Sequence, residues 1–517
     1  MDYGRFFSQV ALRREPSAVS TLRDKAADKK TPIIWLGGGL PNPSLFPIQD
    51  ATVTLKNGEK LIIGKELMVK VLQYSSSKGF PPLVQQLQQL TEDLHQPPRM
   101  CETGVVVTMG SINALSMAGN MLLNPGDPII VQEPLFSGII SALLPYGPKL
   151  IPAATDDEGI VPSLLRETLA RCGDCPAKVM YVNPTANNPT GVSMSEARLR
   201  EIYDIACEYN IIILEDDPYY FINFVEDLPT SFLKLDTEGR VLRFDSFSKT
   251  VSAGIRLGYV TGPQPLIDIM TVDIMSSVGH ASTLAQVVVS ELLNKWGHQE
   301  YLNHVYSLRE EYRKKRDVMQ KAAEKHLAGL CEWKLPSGGM FFWIKVLGLE
   351  DTQRLINEAA TRVGVVAMPG CYFVVRREEP CPYIRVTYSV ASPEEVDRNC
   401  TSECPRPLKA TWITKPRGSA SHVDQQVMWI SKPCGSASHV DQQATWISKP
   451  RRSRCHVDLD ATWGVADVLW IYYPRGLPSQ MLQATCCGLL PTSRRHPRCC
   501  PTSWRHNVCL TSPRDVF

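Results

Sequence analysis

Lys249 stands in the run SFSKTVSAGIRLGY (246–259), flanked by Ser246 and Ser248 and followed seven residues later by Arg256. An amine in that setting joins two capacities. It can condense with an aldehyde, while the hydroxyls and the guanidinium hold a phosphate dianion. Upstream, Asp216 and Tyr219 form Asp-x-x-Tyr. A carboxylate placed there can keep a pyridine nitrogen protonated, which makes the ring an electron sink. The Tyr219 phenol can hydrogen-bond an oxygen on the same ring. Asn188, in YVNPTANNPTG (181–191), offers a side-chain amide from a Pro-flanked turn to that oxygen or to a substrate carboxylate. Gly110-Ser111, ahead of a helical pattern at 113–121, makes an anion site where free N–H groups and the helix dipole meet a phosphate. Arg385, in PYIRVTYS (382–389), suits bidentate capture of a carboxylate. Taken singly, each has a blander reading: a solvated Ser-Lys pair, a strand-ending Asp-Asp-Pro turn, a surface ion pair. Their convergence is what argues for a site.

Three short apolar runs deliver these groups. Residues 105–108 lead into Gly110-Ser111, residues 211–214 into Glu215-Asp216-Asp217, and residues 241–244 into Asp245 through Lys249. Continuous aliphatic runs suit strands of a mostly parallel sheet covered on both faces. Ligands of such sheets sit beyond the carboxyl ends of the strands, where all three polar clusters fall. Alternating helix and strand patterns over 65–310 predict a large α/β domain. Residues 31–64 with 311–400 are expected to form a smaller α+β domain. It should have a strand at 339–346, a helix around 352–363 and strands near 365–368 and 383–388.

The bulk composition hides a division of the chain. Its 517 residues carry a net charge of +2, but residues 1–400 hold 40 Lys+Arg against 46 Asp+Glu, and residues 401–517 hold 15 against 7. Six of ten Trp lie in the later stretch, and nine of sixteen Cys lie at or beyond position 400. There, three copies of one 17-residue unit follow each other (411–427, 428–444, 445–461), each with a Lys-Pro break, one Trp and one His. Such a unit has too few large apolar residues to bury a core, so a tail of low order is expected over 401–517. Its repeated His matches no metal-ligand spacing, and no metal site is expected. No module for specific nucleic-acid binding is recognisable, and no apolar run approaches the ~18 residues needed to span a bilayer. Cys172 and Cys175 form a CxxC without a redox or zinc setting, and read as free thiols. In residues 1–30, Arg5, Arg13, Arg14 and Arg23 alternate with Phe6, Phe7, Val10 and Leu12, while Asp2, Glu15, Asp24 and Asp28 dilute the basic character. A targeting segment and an N-terminal arm both fit.

The set GGGLPNPSLFP (37–47), LQYSSSKG (72–79), NNPTG, EDDPYYF and SFSKxxxxGxRxGY, in that order, resembles the class I/II aminotransferases of the aspartate-aminotransferase fold. More narrowly, it resembles their kynurenine/2-aminoadipate branch, from the N-terminus to about residue 396. The resemblance implies pyridoxal 5′-phosphate as cofactor, with Lys249 as its Schiff-base lysine. It pairs Asp216 with the pyridine nitrogen and sets Asn188 and Tyr219 on the 3-oxygen. Ser111, Ile112, Ser246, Ser248 and Arg256 would hold the phosphate, and Phe136 would stack on the ring. Arg385 and Asn188 would take the substrate carboxylate, Gly39 and Leu40 would line the substrate pocket, and Tyr74 would reach the phosphate of a second subunit in a homodimer. The implied reaction is ping-pong transfer of an amino group from an α-amino acid to a 2-oxo acid such as 2-oxoglutarate, in the mitochondrial matrix or, alternatively, the cytoplasm.

The chain also departs from the pattern. Ile112 stands where the branch has Gln, leaving only a backbone N–H for the phosphate; Phe136 replaces a Tyr, and Ser20 an Arg. The loop before Cys101 is short. The closing helix after 391–397 is expected to be lost to the tail. Two competing readings are β-elimination on the same fold and a catalytically impaired variant.

Overall fold

A computed structural model describes residues 1–400 apart from 20, 23–37, 174 and 361–363. Ser20, the 17-residue repeats and the order expected of the 401–517 tail therefore lie outside the described residues.

Seven strands make the central sheet: β1 (Thr103–Thr108), β2 (Pro128–Gln132), β3 (Lys149–Ala153), β4 (Val179–Val182), β5 (Ile212–Asp216), β6 (Val241–Ser246) and β7 (Gly258–Pro263). Their order is β1-β7-β6-β5-β4-β2-β3. All neighbours are parallel except β7, which runs antiparallel to both β1 and β6. The aliphatic runs are buried on both faces, as expected. On β5, Ile212 and Leu214 enter one apolar cluster with Tyr181 and Phe244, while Ile213 enters another with Met180 and Ile202. Each such side chain contributes roughly 1.5–3 kcal/mol by burial.

The flanking helices include α1 (Pro81–His95), α2 (Ser111–Leu122) and a long run, α3 (Thr283–Leu327), broken at Gly297 where φ is 63° and ψ −176°. Near the start of the chain, the hairpin Ala51–Thr54/Lys60–Ile63 buries Ile63 among residues of β1 and α1. Residues at the start of the chain pack on the sheet's flanking helices. Phe6 is fully buried against α2. Ser8 donates its N–H to Met121 O and its hydroxyl to Asn120 O, satisfying two carbonyls left open at the end of α2. Arg14 pairs with Asp273 at 3.1 Å.

A second, antiparallel sheet has the order β8 (Cys331–Trp333), β9 (Phe341–Val346), β11 (Tyr383–Thr387), β10 (Met368–Pro369). Its period-2 pattern is clear on β9: Phe342, Ile344 and Val346 are buried in one cluster, and Phe341, Trp343 and Lys345 face the other way. Arg385 lies opposite Trp343 on that second face. The helix expected around 352–363 is a π-helical segment, Leu355–Ala360, and the strand expected at 365–368 is only Met368–Pro369.

The loss of a closing helix expected after 391–397 falls mostly on residues beyond 400, outside the described ones. Residues Pro393–Cys400 form a helix, α4. Ser392 and Glu395 cap it reciprocally, with Glu395 N donating to Ser392 Oγ and Ser392 N to Glu395 Oε2. Asp397 then binds Lys325 and His326 of α3 at 2.9 and 3.0 Å, and Val396 is buried. The local capping signal suffices to start this helix.

Candidate active site

Parallel pairing of β5 with β6 sets Asp216 beside Phe244, so the polar residues that follow each strand emerge at one edge. A cavity of about 280 Å³ opens there. It gathers eleven of the expected residues: Ser111, Ile112, Phe136, Asn188, Asp216, Tyr219, Ser246, Ser248, Lys249, Arg256 and Arg385. Three others do not line it. Tyr74 is 59% exposed and meets His280 edge-on, Leu40 is 40% exposed, and Gly39 lies beside it on the same outer stretch.

One end of the cavity is built for an anion. Gly110 takes φ 91°, a conformation that favours glycine, and a Cβ there would sit 2.7 Å from Arg256 Nη2 and so displace the guanidinium. The first turn of α2 presents free N–H groups and the positive end of its dipole at Ser111 and Ile112. Arg256 itself is left-handed at φ 50°, a conformation costing a non-glycine residue about 1–3 kcal/mol. Its guanidinium is held by Met109 O, Ala253 O and Ser248 Oγ, at 3.2, 3.2 and 3.4 Å. Ser248 N donates to Ser246 Oγ at 3.2 Å, closing the serines around the same end.

The other end suits a flat heteroaromatic ring. Asp216 is buried, and its Oδ1 has no hydrogen-bond partner among the described residues. Burial pushes this carboxyl up to about 7, with Tyr181 pulling in the opposite direction. Asn183, absent from the sequence reading, ties the walls together. Its Nδ2 donates to Asp216 O at 2.7 Å, and its Oδ1 accepts from Asn188 N at 2.8 Å. Phe136 supplies an aromatic wall, which Gly138 permits: a Cβ there would lie 2.4 Å from Phe136 Cζ.

Lys249 and Arg385 complete the site. Lys249 Nζ is 5.9 Å from the Tyr219 ring centroid. Burial, with Arg385 and Arg256 adding to it, holds its pKa below the usual lysine range and favours the neutral, nucleophilic amine. Burial likewise raises the Tyr219 phenol, keeping it a donor. Arg385 donates to Asn188 Oδ1 at 2.8 Å and packs over Phe341 and Phe373, at 4.1 and 4.7 Å from their centroids. Pro218, Ala253 and Phe341 also line the cavity without having been singled out. The alternation of β9, which puts Phe341 on the same face as Trp343 opposite Arg385, is the signal that could have found Phe341.

Beneath the cavity, Arg243 is fully buried among Glu215, Asp217 and Asp245, at 3.0, 3.0 and 3.1 Å. It joins β5 to β6 just behind the residues they present.

A doubly covered α/β sheet with an amine, a free acid oxygen and an anion cradle around one cavity defines a cofactor-dependent group-transfer enzyme. The sequence pattern of the class I and II aminotransferases matches residues 38–402, and the chain belongs to that family. It is 41% identical over 411 residues to the mitochondrial kynurenine/alpha-aminoadipate aminotransferase of Bos taurus, covering 77% of this chain and 97% of the relative. The Mus musculus protein of the same name is 39% identical with the same coverage. Among solved structures, aminotransferase Aro8 from Candida albicans matches with a TM-score of 0.71 and 27% identity, over 80% of this chain and 99% of that one. The Pyrococcus horikoshii kynurenine aminotransferase, solved with PMP, matches with a TM-score of 0.63 and 30% identity over the same shares. This chain is therefore an aminotransferase of the aspartate-aminotransferase fold, and its cofactor is pyridoxal phosphate. The unpartnered Asp216 oxygen and the Gly110 cradle fit that group.

Proposed function

We propose that this enzyme takes the amino group of a kynurenine- or 2-aminoadipate-type amino acid and passes it to a 2-oxo acid such as 2-oxoglutarate, in two half-reactions. The carrying observation is Arg385, hydrogen-bonded to Asn188 Oδ1 in the same cavity that Lys249 lines, which supports a carboxylate receptor acting beside the amine. When bound, pyridoxal phosphate supplies an aldehyde for the amino group and a ring that stabilises negative charge at the substrate Cα. Arg385 binds the α-carboxylate and so fixes which substituent on Cα faces Lys249. The Lys249 amine would take the proton from the substrate Cα and hold it for return, acting as base and then as acid. Asp216 holds a proton at the ring nitrogen through Oδ1. Tyr219 and Asn188 donate to the 3-oxygen, and Phe136 covers one ring face. Ser111, Ser246, Ser248, Arg256 and the Ile112 N–H hold the phosphate.

Other features support further parts of this reading. Leu40, Leu45, Ile48, Ile62 and Tyr74 are all exposed on residues 40–74, a surface suited to a second copy whose Tyr74 reaches the neighbouring phosphate. Gly39 and Leu40 would then meet substrate across that interface. Similarity to the mitochondrial enzymes of Bos taurus and Mus musculus supports a mitochondrial location. Among the described residues no helix is long and apolar enough to cross a membrane.

Lys249→Ala tests the reading most directly. Kynurenine and 2-aminoadipate are assayed with 2-oxoglutarate, alongside a cysteine conjugate whose cleavage releases pyruvate and thiol. The wild type should form oxo acid and glutamate, and the variant should lose at least about 10³-fold in kcat. Full activity in the variant refutes the role of Lys249. Pyruvate and thiol as the main products favour β-elimination.

A further inference from the structure

Tyr181 sits on β4, fully buried, and its hydroxyl donates to Asp216 Oδ2 at 2.8 Å. Oδ1 of the same carboxylate is the unpartnered one, in a residue that borders the cavity. The two oxygens of Asp216 are thus in different states. A carboxylate on an unconstrained side chain can swing about its last torsion, where preferences are broad. Here Asn183 fixes the backbone at Asp216 O, and Tyr181 fixes the plane of the side chain.

We propose that Tyr181 is a positioning residue for the cofactor: by occupying Oδ2 it turns Oδ1 toward the cavity, where the ring nitrogen binds. The inference rests on the reading of Asp216 as partner of that nitrogen. Tyr181 has a second effect, on charge. The groups facing Asp216 are Tyr181 from β4, Asp217 on its own strand end, Arg243 and Asp245 from β6, and Tyr219 beside the cavity. Asp217 and Asp245 favour protonation of Asp216, and Arg243 opposes it from a distance. Among the described residues only Tyr181 donates a side-chain hydrogen bond to the carboxylate. That bond stabilises the ionised form, which a protonated ring nitrogen requires.

The test uses Tyr181→Phe, which removes one oxygen and keeps the buried ring, in the full chain stripped of cofactor. Pyridoxamine 5′-phosphate is titrated across a pH series, because it has no aldehyde to bond Lys249 and so reports the non-covalent site. Affinity in Y181F should fall roughly ten- to a hundred-fold near pH 8. The pH at which binding is half lost on acidification should rise by about one. Substituting 3,5-difluorotyrosine at the same position, a stronger donor of nearly the same shape, should move that midpoint the other way. Asp216→Asn is run in parallel. If Asp216→Asn weakens binding while both Tyr181 variants leave affinity and midpoint unchanged, the role of Tyr181 is overturned and that of Asp216 stands. If Asp216→Asn also binds normally, the reading of Asp216 fails with it. Should Y181F not fold, the fluorinated protein decides: an unmoved midpoint overturns the proposal.

Discussion

The consecutive carboxylates Glu215, Asp216 and Asp217 share one strand end and have opposite fates. Asp216 follows Ile212 and Leu214 onto one face of the sheet and borders the cavity with one oxygen free. Glu215 takes the other face, where Phe232 N, Leu233 N and Arg243 saturate it. Asp217 shares Arg243 and accepts from Thr185 at 3.1 Å, both through Oδ2; its Oδ1 is unpaired among the described residues, and the residue does not line the Lys249 cavity. Identical chemistry is thus divided between reaction and architecture by a two-residue period. A buried carboxylate with both oxygens donated to is structural. An oxygen left unpaired is available to a donor only where it borders a cavity: Asp217 also keeps one, but of the two only Asp216 lines the cavity that holds Lys249.

Breaking the architectural side should have the largest effect on stability. Arg243→Met leaves three buried carboxylates without their common cation, and should cost about 3–5 kcal/mol in denaturant unfolding. A cost below about 1 kcal/mol would show that the cluster is not what joins β5 to β6.

Asp216→Asn should separate the two roles. It should lower kcat by about 10²–10³-fold through loss of the charge opposite the ring nitrogen, with little harm to folding. In the cofactor-free protein it should even stabilise, and the sign follows from the raised carboxyl. A carboxyl lifted to about 7 in the folded state favours folding while it is protonated, below its unfolded pKa near 4. That contribution is lost as pH rises through about 7. The stability of Asp216→Asn relative to wild type should therefore climb between about pH 4 and pH 7 in calorimetry, by on the order of a few kcal/mol. A flat difference would mean that Asp216 carries no burial penalty.

Asp217→Asn should have the smallest effect. The amide keeps an oxygen for Thr185 and Arg243 and removes one of three negative charges, so unfolding should change by no more than about 1 kcal/mol. A loss as large as that of Arg243→Met would show that the charge of Asp217, and not Arg243 alone, holds this cluster together.

Much of this site was legible in the residues themselves. Aliphatic runs ending in polar clusters announced strands buried on both faces, and Asp-x-x-Tyr with Ser-x-Ser-Lys named the chemistry. What escaped was whatever acts from a neighbouring strand. Tyr181 was quoted inside a motif, yet its hydrogen bond depends on β4 lying beside β5. Asn183 matters only because it touches two segments at once. Gly138 is needed for the ring of Phe136, a contact no spacing rule encodes. The antiparallel strand β7 was missed because Gly258 through Pro263 has neither a long aliphatic run nor a polar cluster beyond it. The helix at 393–400 had a readable Ser-x-x-Glu cap, and the loss expected after 397 falls mostly outside the described residues.

From its residues alone, this chain establishes which groups can react and which strand ends carry them, because local periodicity and side-chain chemistry are properties of short segments. Tertiary structure alone decides which oxygen of Asp216 stays free, which arginine is spent inside the core and which reaches for a carboxylate. Hydrogen-bond partners and burial are set by packing between segments distant in the chain, and these determine whether a charge is available or already neutralised.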